Sequence, residues 1–337
     1  MDRHHRRPLD ERFRRFAHHV AESPRYRRIC LTVADDADLL AVCDAAPATQ
    51  PVPNLLLAAV HDLLLEGIDH PLAAWYPTVG GTRGPDGVEA PFRDAVLAHR
   101  DRVRAVLATR TVQTNEVRRS VGWYAALAPL RRPLALVEVG ASGGLNLRWD
   151  RYGYRFGAIA AGDPDAGLVL TTGVRGAHPP VPPSPPPVVF RRGIDRAPVD
   201  VSDPAGARWL RALVWPEQTD RMERLDLALD AARSEPVRID AGDALDLVGA
   251  AVAEAPEEAD LVVMHSFVLN QTTTTWREAF ASTLDDIGLH RPVHRASIEW
   301  LEPDDGPMLD LTLHHGGERR RTRLAAIHHH GAWIAWR

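Results

Sequence analysis

Hydrophobic positions recur at helical spacing through the first third of the chain. Phe13, Phe16 and Val20 fall three or four residues apart with arginines between them, and Leu39, Leu40, Val42 and Cys43 continue the style. The run 53–65 opens with Pro53, closes before Gly67 and is apolar nearly all round, which predicts a central helix of a bundle. Further helices are expected at about 91–107 and 114–130. After Arg131-Arg132-Pro133 the period changes. Residues 134–139 form a short unbroken apolar run ending at Gly140, the pattern of a strand buried on both faces. Residues 188–190, 237–239, 259–264 and 295–300 read alike, and helical stretches lie at about 204–233, 243–254 and 274–288. Strands alternating with helices predict a mostly parallel sheet covered on both faces. Residues 309–313 and 323–336 alternate instead and flank Gly316-Gly317, which predicts a closing antiparallel hairpin.

The expected organisation is an N-terminal α-helical domain, 1–130, and an α/β domain, 131–337. An insertion at about 150–187 interrupts the second. It carries two short strand-like segments and then a proline-rich stretch, 178–187, read as a stiff spacer.

Composition removes several chemistries. The 337 residues carry 45 acids against 40 bases, and every base is arginine. Without lysine there is no P-loop phosphate clamp, no Schiff base and no kinase strand lysine. A net charge of −5 gives no electrostatic reason to expect nucleic acid. The start, residues 1–7, lacks an apolar leader, and no run approaches the roughly 18–20 apolar residues of a membrane span. The reading is a cytoplasmic protein with no membrane partner. Two cysteines, Cys30 and Cys43, suit a core and are too few for a disulfide framework.

The chemistry concentrates at Val137-Glu138-Val139-Gly140-Ala141-Ser142-Gly143-Gly144-Leu145-Asn146, a strand, a small-residue loop and an expected helix. Such a loop lets backbone N–H groups approach a ligand at a helix N-terminus. Glu138 at the strand end can accept from an amino group. Asp195 follows the second strand, where an acid can bind a ribose diol, and Asp243 follows the third, where it can accept from an adenine amine. His265, Asn270 and Gln271 follow the fourth, at the carboxyl edge where open α/β sheets bind ligands. Gln113, Asn115, Glu116 and Arg118 crowd polar groups before a helix. They form either an acceptor-binding roof over that edge or a capping network with Thr114 or Asn115 as cap.

With the final hairpin, residues 130–337 resemble the seven-stranded S-adenosylmethionine-dependent methyltransferase fold, a Rossmann-like α/β architecture. The resemblance implies Glu138, Gly140, Ser142 and Gly144 around the cofactor's amino-acid part, Asp195 at the ribose and Asp243 at the adenine, with Asn146 also counted among the cofactor-binding residues. It departs in the loop, Gly-Ala-Ser-Gly-Gly in place of the commoner Gly-x-Gly-x-Gly, and in the long insertion before Asp195. Across nearly the whole chain, Pro53-Asn54-Leu55, His70-Pro71-Leu72, Gln113-Thr114-Asn115-Glu116-Val117, Gly193-Ile194-Asp195 and His330-Gly331 resemble a bacterial domain-of-unknown-function family, number 2332. That resemblance implies a bacterial protein and no particular reaction.

The expected function is S-adenosylmethionine binding and methyl transfer to a small-molecule acceptor. His265 would serve as base, with Asn270 or Gln271 orienting the acceptor. Two rivals stay open. Gly140-Ala141-Ser142-Gly143-Gly144 satisfies Gly-x-Ser-x-Gly between strand and helix, the context of a serine hydrolase nucleophile at Ser142. A non-catalytic binding protein on the same fold is the other. No metal is expected: His314, His315 and 328–330 lack a carboxylate at metal spacing, and His61 on its apolar helix reads as structural.

Overall fold

The computed structural model describes residues 7–20, 22–113, 115–302 and 305–337. Residues 1–6, on which the leader reading rests, and Thr114, a candidate cap, lie outside them. The helices are α1 (Leu9–His19), α2 (Pro24–Asp35), α3 (Ala37–Cys43), α4 (Val52–Glu66), α5 (Glu89–Ala98), α6 (Arg100–Thr109), α7 (Ser120–Leu127), α8 (Pro204–Ala212), α9 (Thr219–Ser234), α10 (Ala244–Ala253) and α11 (Thr274–Gly288). The strands are β1 (Leu134–Val139), β2 (Gly153–Phe156), β3 (Ile159–Gly162), β4 (Val169–Val174), β5 (Val188–Asp195), β6 (Ile239–Ala241), β7 (Asp260–Ser266), β8 (Val293–Glu299), β9 (Met308–His315), β10 (Glu318–Ile327) and β11 (Trp333–Trp336).

The chain divides into two compact units, Met1–Thr114 with Ser202–Leu225, and Asn115–Val201 with Asp226–Arg337. Sequence placed the division near residue 130 and saw no excursion at 202–225. The physical reasons are visible within each unit. In the helical unit α8 joins the core through Trp209 and Ala212, while Arg208 donates to Asp62 of α4 at 3.0 Å. An amphipathic helix shows which face it buries but not against what. In the α/β unit α7 is buried at every position, and a Cβ added at Gly122 would meet Ile298 and Ile327 of the sheet. As expected, α4 is central, its core-facing His61 wholly buried.

The α/β unit is built on an eleven-stranded sheet of order β3-β2-β4-β11-β10-β9-β8-β7-β1-β5-β6. Strands β6, β5, β1, β7 and β8 are mutually parallel, and β9, β10 and β11 continue antiparallel. The hairpin between β9 and β10 turns on Gly316 (φ 59°) and Gly317 (φ 81°), the left-handed pair a two-residue connection requires. The stretch expected to run on to Trp336 is broken by a turn at residues 328–332, so β10 and β11 are separate strands.

Two expectations change. The Gly-rich loop leads into a kinked 3-10 segment, Asn146–Arg151, rather than an α-helix, because Arg148 leaves helical geometry and donates back to Gly144 O at 3.5 Å. This loop therefore lacks an α-helix dipole behind it. The insertion is also more than a spacer. Strand β4 pairs parallel with β11, so the insertion extends the same sheet, and its proline stretch is held by Tyr124 Oη donating to Pro182 O at 2.8 Å and by Gly162 N to Pro183 O at 2.9 Å.

Candidate functional site

The parallel strands count third, second, first, fourth, fifth across the sheet, so their order reverses between β1 and β7. Ligands of open α/β sheets bind outside the carboxyl ends of the strands at such a point. Two loops meet there. The first leaves β1 through Gly140, whose N–H donates to Ile194 O at 2.8 Å. Its φ is +75°, and a Cβ there would lie 2.5 Å from Val268 Cγ2 in the second loop, so only glycine lets the two loops approach. The second leaves β7 through Ser266 and Phe267.

Among the described residues only two non-glycines have positive φ, Ser142 at 51° and Phe267 at 55°. They stand one in each loop. Ser142 is fixed on three sides: its N–H donates to Asp195 Oδ2 at 2.8 Å, its carbonyl accepts from Val199 N at 3.1 Å, and its hydroxyl oxygen accepts from Asn115 Nδ2. Asp195 Oδ1 takes Ala197 N at 2.8 Å, so this carboxylate ties the β1 and β5 loops together.

Glu138 lies in mid-edge, paired in register with Gly193 and Met264. Alternation turns it away from Val137 and Val139, which enter the core under α10 and α11, toward the α7 side. It is 2% exposed and its Oε2 has no hydrogen-bond partner. Burial raises its pKa well above the usual carboxyl range and Asp195 adds to this, against a smaller opposing effect of Arg119. Arg119, itself 5% exposed, donates from Nε to His329 O at 3.0 Å and sits 4.3 Å from the Phe267 ring centroid. Neighbouring Arg118 donates to His330 O at 2.7 Å, and Glu116 accepts from Arg118 N at 3.1 Å and stands 3.3 Å from His330. The segment 115–119 is thus strapped to the turn before β11. Asn146 is buried beside it, accepting from Ser120 Oγ at 2.9 Å.

The three residues expected to act on the acceptor separate. His265 is wholly buried: Nδ1 bonds Glu299 Oε1 at 2.7 Å, and Arg295 Nε approaches Nε2 at 3.0 Å. An arginine only donates, so Nε2 is the bare nitrogen and Nδ1–H donates to Glu299. Burial lowers the pKa of His265 despite Glu299, and neither ring nitrogen is open to a ligand. The base assignment is therefore corrected: this histidine holds Glu299, and Glu299 holds the loop by accepting from Val268 N at 3.0 Å and Leu269 N at 3.2 Å. Gln271 is spent on Phe267 O at 2.5 Å, while Asn270 is exposed on the rim. Asp243 caps α10 through Leu245 N at 3.0 Å and also receives Trp276 Nε1 at 2.8 Å and Arg196. Partial burial would raise its pKa, but these donors outweigh it and hold the carboxyl below its ordinary range. Gln113 belongs to the helical unit.

Sequence reasoning missed Arg119, Phe267 and Glu299. Arg119 is one of 40 arginines in a chain without lysine, and Glu299 closes a buried strand just as Glu138 does; only the second carried a signal. Among the described residues no three His, Cys, Asp or Glu converge to hold a metal ion, and no helix is long and apolar enough to cross a membrane.

Fold and site define an α/β protein of the doubly wound kind with a polar, strained cluster at its strand-order reversal. The chain belongs to the family described as an uncharacterized protein conserved in bacteria, DUF2332, whose family model matches residues 10–336. No curated protein and no solved structure matches it.

Proposed function

We propose that this carboxyl edge binds S-adenosylmethionine and that the protein transfers its methyl group to a small-molecule acceptor. One observation carries the reading: the two left-handed non-glycine residues flank the reversal point, beside a buried glutamate with an orphaned oxygen. Strained backbone and an unsatisfied buried polar atom are costs that a bound ligand can offset. The amino-acid end of the cofactor fits the residues present. Glu138 Oε2, which has no partner in the protein, would accept from an ammonium, and the loop at residues 140–144 lets a ligand come close to main chain. When bound, the cofactor supplies a methyl group on a sulfonium, which passes to an acceptor lone pair and leaves a neutral thioether. Asn270, exposed beside the β7 loop, is the side chain of the expected trio open to the acceptor. His265 contributes by fixing that loop.

Calorimetric titration with S-adenosylmethionine and with S-adenosylhomocysteine tests the reading. Saturable heat is expected for both, and none with either at high micromolar ligand refutes it. The hydrolase rival has one observation in its favour, the left-handed Ser142 within Gly-x-Ser-x-Gly. Its hydroxyl accepts from an asparagine, however, and no α-helix follows the loop. A fluorophosphonate probe is expected to leave Ser142 unlabelled. Ligand heat without methyl transfer to any acceptor tried would favour the binding-only rival.

A further inference from the structure

Asp243 carries a donor that it does not need. Its Oδ1 caps α10 through Leu245 N, and Arg196 pairs with its charge, so cap and charge are both provided for. The third donor, the Trp276 indole N–H at 2.8 Å, comes from another helix. Trp276 is the third residue of α11, half-buried, with its ring offset-stacked on Phe280 at a centroid distance of 5.1 Å and 18° between planes. A flat heteroaromatic ring thus presents an N–H to the acid that follows the third parallel strand, on the same edge as Asp195 and Ser142.

We propose that Trp276 is a gate on the base-binding end of this site, its indole N–H holding Asp243 at rest and yielding it to the exocyclic amine of a purine. The inference rests on the cofactor reading for the identity of the base. Opening exchanges one N–H donor for another on a single carboxylate, and the indole that moves is half-buried rather than enclosed. The two arrangements therefore stay close in free energy, as a gate requires.

Trp276→Phe separates gate from scaffold, because phenylalanine keeps the stack on Phe280 and removes the donor. Wild type, Trp276→Phe and Asp243→Asn, which retains a good N-cap residue, are titrated with S-adenosylhomocysteine and with adenosine. Trp276→Phe is expected to bind S-adenosylhomocysteine about tenfold more tightly than wild type, the scale of one hydrogen bond to a charged acceptor. Asp243→Asn is expected to bind about tenfold more weakly. Equal or weaker binding by Trp276→Phe, with wild type still binding, overturns the gate and leaves the cofactor reading standing. Binding of adenosine by Trp276→Phe alone, with S-adenosylhomocysteine refused by both proteins, sustains the gate and removes the cofactor. Refusal of both probes by every protein overturns both. As a second readout, the fluorescence difference between wild type and Trp276→Phe is expected to become more accessible to acrylamide when ligand is added, and an unchanged accessibility counts against the gate.

Discussion

Replacing Glu299 with glutamine tests whether the β7 loop is held in the way described. The carboxylate accepts from His265 Nδ1 at 2.7 Å, Val268 N at 3.0 Å and Leu269 N at 3.2 Å to each oxygen. All of its neighbours here are donors. A glutamine keeps shape and volume but turns one oxygen into an NH₂, and whichever way the amide faces, that NH₂ meets an N–H. Flipping it toward His265 sets donor against donor there, because Arg295 has already fixed the imidazole tautomer. The change removes one or two charge-assisted bonds and leaves buried donors unmet, which costs about 2–4 kcal/mol. Urea unfolding should show the midpoint lowered with an unchanged slope, since the surface exposed on unfolding is the same. Amide exchange should rise selectively at Val268 and Leu269, and S-adenosylhomocysteine binding should weaken because Phe267 loses its support. A loss below about 0.5 kcal/mol with unaltered exchange at these two amides would refute the arrangement.

Three further outcomes follow, two from the site and one from the helical unit. Glu138→Gln imitates the neutral acid that burial favours. A folded pKa above the unfolded one means stability is lost as pH rises from the unfolded value toward the folded one, so the variant should be more heat-stable than wild type at pH 8, gain less at pH 5, and lose ligand binding. Equal stability at pH 8 would show that Glu138 already has a partner. Gly140→Ala should destabilise by about 2–4 kcal/mol through its positive φ and the clash with Val268. Adding Val268→Ala should recover the steric part in a double-mutant cycle, and strict additivity would deny the contact. His61 is held neutral by burial, with its pKa lowered to about 4 from the ordinary 6.5. Stability should be full above 6.5 and fall by about 3 kcal/mol as pH drops to 4, and His61→Gln should flatten that part of a urea-unfolding pH series; an undiminished slope would place the acid sensitivity elsewhere.

Strand positions were legible because burial on both faces leaves a plain mark. Leu134–Val139 has no alternation, and it is buried at all six positions. The closing hairpin was legible because Gly316-Gly317 supplies the backbone its turn needs. The reach of the insertion was not. Val169–Val174 reads as a short strand anywhere, and its pairing with β11, more than 150 residues away in the chain, leaves no local trace. The left-handed geometry at Ser142 and Phe267 was equally hidden. Gly140 and Gly144 announce positive φ by their type, whereas a serine or phenylalanine adopts it only when contacts on several sides impose it.

The strand-end acids show where legibility stops. Glu138, Asp195, Asp243 and Glu299 are alike in sequence: each closes or follows a strand that points at one edge, and each could serve a ligand. The structure separates them by what their oxygens already do. Asp195 takes the N–H groups of Ser142 and Ala197, Asp243 those of Leu245 and Trp276, and Glu299 those of His265, Val268 and Leu269. Asp195 and Glu299 therefore hold chain to chain through all of these bonds, and Asp243 does so through its helix cap, with the Trp276 donor the one it can release. Glu138 alone among them has a buried oxygen with no partner, on the strand at the reversal point whose following loop carries one of the two left-handed residues. A carboxylate that fastens loops needs its donors in the folded protein, whereas one that awaits a ligand must go without, at a cost in stability. The residue whose removal is expected to stabilise the fold is for that reason the one on which binding should depend.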